Sequence, residues 1–177
     1  MTKDPLLDVL FEYDSWANRR LLKVCCKLTP EQFERPFGLG HGNLERTVLH
    51  LVSAMIFFAA RLNRHSPRPR PEKNPRTYSA KEVLDLFEVV DRELHRAIAV
   101  CLDSHALTDI LNWTDDDSGT VDPLDQIPYS VALAQMIEHS IHHRTQAVDM
   151  LRLLGVEKSL EWHPFEWDEA KRQSLKC

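Results

Sequence analysis

The stretch Glu138-His139-Ser140-Ile141-His142-His143-Arg144-Thr145-Gln146 sets two imidazoles four residues apart within an otherwise apolar segment. On a helix, His139 and His143 stand about 40° apart on one face, one turn above the other, so their ring nitrogens can share one metal ion. One helix rarely closes a coordination sphere alone, and His50 is the best candidate for a third ligand. Neutral imidazole suits zinc, nickel, copper and iron, and it needs no deprotonation at neutral pH. Three histidines with open positions describe a catalytic site better than a structural one. Spacing alone leaves two bland readings open, a chance HxxxH pair and a hydrogen-bonded core histidine, because the chain has nine histidines and lacks HExxH.

Positioning these residues takes long helices, and four can be read. Leu6, Val9, Leu10, Tyr13, Trp16, Ala17, Leu21 and Val24 recur at three and four residues, which predicts a helix over about residues 4 to 27. Thr29-Pro30-Glu31-Gln32 has the spacing of a capping box and predicts a short helical turn before Pro36-Phe37-Gly38. Asn43 is the expected N-cap of a broadly apolar second long helix reaching about residue 64, with His50 on a strip of small and polar residues. From Arg64 to Tyr78, Pro67, Pro69, Pro71 and Pro75 stand among several arginines, predicting an exposed, semi-rigid connection that could steer an anionic substrate but reads first as solvated surface.

Ser79 and Glu82 open a third long helix with another capping box. Residues 108–127 lose the helical period and carry the turn signal Asp115-Asp116-Asp117-Ser118-Gly119, so a small hairpin or irregular loop is expected there. The fourth long helix begins near Pro128 or Ser130 and stops at Gly155. Beyond it, Trp162, Phe165 and Trp167 are expected to pack back on the body. Four helices with almost no strand signal argue for an all-α four-helix bundle with long connections, in one domain over residues 1–177.

A net charge of −5 argues against a nucleic-acid partner, which needs a basic face. No apolar run approaches the roughly 20 residues of a membrane span. The start lacks the marks of a signal peptide, so the expected location is cytoplasmic, with no membrane partner. Four cysteines without a CxxC read as free, reduced thiols.

Beyond spacing, the chain resembles the DinB/YfiT-like family of four-helix-bundle metalloenzymes over nearly its whole length. The resemblance rests on Tyr13-Asp14-Ser15-Trp16-Ala17-Asn18-Arg19-Arg20-Leu21-Leu22, on Leu28-Thr29-Pro30-Glu31-Gln32-Phe33, on Thr47-Val48-Leu49-His50 and on the closing HxxHHRxQ at residues 139–146. It implies His50, His139 and His143 as the ligands of one divalent ion, zinc, nickel or iron. Two departures bear on the pocket: Thr145 replaces a common glycine, and Phe57-Phe58 stand where many relatives carry acidic or tryptophan-containing stretches. His142, Gln146, Arg144 and Asn43 are the candidates for supporting a ligand or touching substrate, with helix-helix hydrogen bonding the equal alternative for Arg144 and Gln146. His142 lies about 60° from His139 and about 100° from His143, which suits it poorly to the same ion. His41, between Gly40 and Gly42, reads as an exposed loop histidine that could approach the pocket mouth.

The resemblance also implies an activity. Relatives include transferases and isomerases that use low-molecular-weight thiols, so a thiol-dependent S-transferase acting on a small electrophile is the leading expectation, with the thiol as cosubstrate. A hydrolase that uses metal-activated water is the second, with Glu138 or His142 as proton shuttle. A non-enzymatic metal- or ligand-binding stress protein is the third. Relatives often pair, which implies a homodimer.

Overall fold

The computed structural model describes residues 4–65, 68–112, 126–156 and 162–174. Its first helix, α1 (Pro5–Cys25), starts where the Asp4 carboxylate accepts the Leu6 and Leu7 N–H groups and proline fills the first helical position. The short α2 (Pro30–Phe33) carries the complete Thr29–Gln32 capping box. In α3 (Leu44–Leu62) the Asn43 side chain accepts from the Arg46 N–H, and most residues are buried, as its broad apolar arc predicts. The Ser79–Glu82 box opens α4 (Ala80–Ser104). After α5 (Tyr129–Leu153), Gly155 turns the chain at φ +67°, and the Val156 N–H donates back to the Leu151 carbonyl.

These four long helices pack around one hydrophobic core in the cyclic order α1, α4, α3, α5. Paired side chains set the directions. Ser140 with Asp14 and Arg144 with Asn18 advance together, so α1 and α5 are parallel. Ser15 with Asp91 and Arg19 with Glu88 run oppositely, so α4 is antiparallel to α1. Glu45 lies against Tyr78 at one end of the α3–α4 pair and Arg64 faces Cys101 at the other, so α3 and α4 run the same way.

That topology has a consequence for the site. Two consecutive parallel helices need a return path along the bundle, and α3 is roughly 28 Å long. Among the described residues of this return, 63–65 and 68–79, the chain forms a strap that contains one 3-10 turn, Pro71–Lys73. It is closer to the body than the solvated surface expected: Tyr78 is buried, and the Glu72 N–H donates to Ser53 Oγ on α3 at 3.3 Å.

Between α4 and α5 the expected hairpin is present, with β1 (Ile110–Asn112) antiparallel to β2 (Gln126–Pro128) and Leu111 opposite Ile127. Its turn, with Asp115, Asp116 and Asp117, lies outside the described residues. A last helix, α6 (Pro164–Ser174), packs on α1. Trp162 and Trp167 are buried as expected, and Tyr13 donates to the Trp162 carbonyl at 2.7 Å. Phe165 corrects the expectation: it is 88% exposed, because the helical turn that buries Trp167 rotates Phe165 outward. Among the described residues no helix is long and apolar enough to cross a membrane.

Candidate metal centre

His50 on α3 and His139 and His143 on α5 meet between the two helices. Their ring centroids are separated by 5.1 Å (His50–His139), 4.6 Å (His50–His143) and 4.4 Å (His139–His143), with planes inclined by 42°, 76° and 63°. Three imidazoles on one ion at metal–nitrogen distances of 2.0–2.1 Å would stand about 4.5–5.2 Å apart by centroid and about 2.9–3.4 Å apart by ligating nitrogen. The Nε2 atoms of His50 and His139 are 3.2 Å apart. That pair and the His50 centroid separations fall within these ranges, and the His139–His143 separation lies just below them.

Two of the rings are held by their other nitrogen. His50 Nδ1 donates to Glu72 Oε2 at 2.5 Å, which leaves His50 Nε2 with its lone pair toward the cluster. His143 Nδ1 donates to Gln146 Oε1 at 2.9 Å and likewise frees its Nε2. A carboxylate or amide on the far nitrogen is how proteins commonly fix the tautomer of a metal-binding histidine. Burial, followed by the charge of His143, pushes His139 down to about 4. Burial also lowers His143 to about 4, against the opposing Gln146 hydrogen bond. Both rings are neutral at pH 7 and ready to ligate. Burial works to raise the Glu72 carboxyl, but the His50 hydrogen bond and charge, with Arg70 and Lys73, outweigh it and hold the group below its ordinary value.

A fourth histidine joins the cluster. His41 stacks on His50 with centroids 3.9 Å apart and planes inclined by 30°, and lies 5.1 Å from His143. Donor atoms of His41, His50 and His143 all fall within 4.8 Å of one another, so this set too can hold an ion. Geometry separates the two sets. A ligated ion lies in the plane of each ring, and two nearly stacked rings do not share such a point without one of them turning.

The His41 loop is built onto the site. Gly40 has φ +57°, and a Cβ there would meet Met150 Cε at 2.9 Å, Thr47 Oγ1 at 3.0 Å and Gln146 Oε1 at 3.2 Å. Glycine lets the loop press against the side chain that orients His143. The His41 N–H then donates to Thr47 Oγ1 at 3.2 Å.

Of the other sequence candidates, Gln146 contacts His143 directly and its Nε2 donates to His142 Nε2 at 2.8 Å. His142 itself is exposed, with its ring 4.9 Å from that of His143. Arg144 points away, into the α1–α5 seam, where Nη1 donates to Asp14 Oδ1 at 2.5 Å and Asn18 Oδ1 at 2.8 Å. Asn43 is occupied at the head of α3, taking the Arg46 N–H and donating to the Glu34 carbonyl. Glu72 was absent from the sequence candidates; its only signal is that it is the one acidic residue between Arg64 and Tyr78. Among the described residues none of the three cysteines lines the cluster or the cavity: Cys25 and Cys101 are buried and Cys26 is exposed, and burial pushes the Cys25 thiol up and that of Cys101 to about 11.

Beside His50 opens a cavity of about 590 Å³ between α3, the His41 loop and the strap. Similarity to known proteins agrees with this architecture. No curated protein matches the sequence. A crystal structure of a DinB-like protein from Bacillus cereus ATCC 10987 superposes with a TM-score of 0.57 at 25% sequence identity, covering 84% of this chain and 91% of that one. The DinB family model matches residues 1–167. With the bundle, the histidine cluster and this match together, the chain belongs to the DinB family.

Proposed function

We propose that the protein is a divalent-metal-dependent S-transferase, in which His50, His139 and His143 hold the ion and a small thiol is the cosubstrate. The observation that carries this reading is the convergence of three inclined imidazoles whose ring nitrogens His50 Nε2 and His139 Nε2 stand 3.2 Å apart, two of the rings being fixed by Glu72 and Gln146. Zinc, nickel and iron all suit three imidazoles. A bound ion would supply a thiolate at neutral pH from a thiol that is otherwise mostly protonated. The thiol proton leaves to solvent, the sulfur bonds to the electrophilic carbon, and the leaving group departs with its electron pair.

The chain's own residues orient and enclose. Glu72 and Gln146 aim the ligating nitrogens, His41 covers one face of His50, and the Phe58 ring lies 5.8 Å from that of His139 and closes the inner side. The hydrolytic alternative wants a proton carrier at Glu138 or His142; both line the apolar groove between α1 and α5, outside the cavity beside His50, and His142 Nε2, on a ring 4.9 Å from that of His143, is already taken by Gln146. That favours the transferase over the hydrolase. A homodimer and a cytoplasmic location belong to the same proposal, and sedimentation velocity checks the first.

Metal analysis of the purified protein and of His139→Ala and His143→Ala tests the site. Near-stoichiometric metal in the wild type and a loss of at least tenfold in each variant is expected; unchanged content in both would sink the assignment. Metal-dependent conjugation of a bimane electrophile with a panel of small thiols tests the reaction. If no thiol gives acceleration while metal is held, a binding protein is the better reading.

A further inference from the structure

The cavity beside His50 is walled by four cations, Arg46, Arg70, Lys73 and Arg76, and by two acids, Glu45 and Glu72. Both acids are already engaged. Glu45 is buried with Oε1 accepting the Tyr78 N–H at 3.1 Å, and burial raises its carboxyl. Glu72 is taken by His50 and by Arg70, whose Nη1 lies 3.6 Å from Oε1. Arg76 reaches Glu82 at 2.9 Å. Among the described residues, Arg46 and Lys73 make no side-chain hydrogen bond or ion pair, although both line the cavity.

Arg46 stands where a cation is least expected. It is the third residue of α3, in the turn where the helix dipole presents its positive end and disfavours added positive charge. An arginine kept there, whose charge acts on the buried Glu45 but which makes no ion pair, on the wall of a cavity of about 590 Å³ is arranged for a ligand. That volume lies in the range of small-molecule sites, and a guanidinium fork matches a carboxylate or phosphate with two hydrogen bonds. A divalent ion on neutral histidines would add further uncompensated positive charge.

We infer that the cavity takes a small oxyanion-bearing substrate, its carboxylate or phosphate held by Arg46 and Lys73 while its reacting end reaches the open side of the histidine cluster. This deepens the proposed function and rests on it for the second half only, because anion binding by the two cations does not require the ion.

The test is calorimetric titration of stoichiometrically zinc-loaded and chelator-stripped protein with succinate and, separately, inorganic phosphate at constant ionic strength. The wild type is expected to bind at least one of the two saturably, which also tells carboxylate from phosphate preference. Arg46→Ala/Lys73→Ala should weaken that binding at least tenfold with zinc content unchanged, and Arg46→Lys should restore part of it. Equal affinity in the double variant, or no binding of either anion by either form of the wild type, overturns the inference. A wild type that binds anion but holds no zinc would overturn the metal reading and leave the anion site standing.

Discussion

Glu72 holds the far nitrogen of His50, opposite the nitrogen that stands 3.2 Å from His139 Nε2. Its role is to fix a tautomer and an orientation, and such partners typically govern metal affinity by 10–100-fold. Glu72→Gln is therefore expected to weaken zinc binding by about one order of magnitude or more, read by competition with a coloured chelator, while the folded helical content stays unchanged. Unaltered affinity would mean that His50 is oriented by packing alone. Gly40 is a second lever at this scale. An alanine Cβ would clash with Met150 Cε at 2.9 Å and press on Gln146 Oε1 at 3.2 Å in a backbone conformation that alanine rarely adopts, so the loop carrying His41 is coupled to the side chain that orients His143. The pairing of His139 with His143 was legible from a spacing of four, since helical pitch alone puts them on one face. Glu72 was not, because no periodicity relates a residue in a proline-rich connection to a helix 22 positions earlier.

The helices themselves are set by local chemistry that can be tested one cap at a time. Glu82 in the α4 capping box is paired with Arg76 and accepts from the Ser79 N–H and hydroxyl, and these contacts, the Arg76 bond first, hold its carboxyl at about 2 instead of 4.5. A depressed carboxyl contributes stability above its unfolded value and loses it as pH falls through the folded one. Glu82→Gln preserves the capping geometry and removes the charge, so its melting temperature should lie below the wild type at pH 6 and converge with it as pH approaches 2. The α1–α5 seam is a harder constraint. Arg144, buried with Asp14, Asn18 and Ser140, locks the helix bearing His139 and His143 against the first helix. Removing one member of such a buried ionic set costs roughly 3–5 kcal/mol, so Arg144→Met should lower urea-unfolding stability by about that amount, whereas Asp14→Asn/Arg144→Met should lose less than the two single changes added together. Metal stoichiometry in the fraction that folds is expected to persist, because Arg144 points away from the histidines.

At the scale of the whole molecule, the candidate ligands come from two helices, α3 and α5, that are distant in sequence and antiparallel to each other, so an ion would add a direct tie between them. Ligation that exists only in the folded state adds stability by mass action, about 4 kcal/mol when free ion exceeds the dissociation constant a thousandfold. For a chain of this size that corresponds to a rise in melting temperature of roughly 8–16 °C on adding zinc to stripped protein, absent in a His139→Ala/His143→Ala variant. The sequence by itself determined the four long helices, the N-caps of α2, α3 and α4, the break in helix between α4 and α5 and the shared face of His139 and His143, because caps, turn residues and hydrophobic period act over a few residues. It pointed to His50 through a family likeness, with spacing alone leaving that histidine open. Only the tertiary structure decided which groups surround them. The parallel run of α3 and α4 forces a long return strap, the strap carries Glu72 and Lys73 back toward His50, and a glycine loop lays His41 across the same ring. Those contacts join segments unrelated by any period, so they follow from how the helices pack.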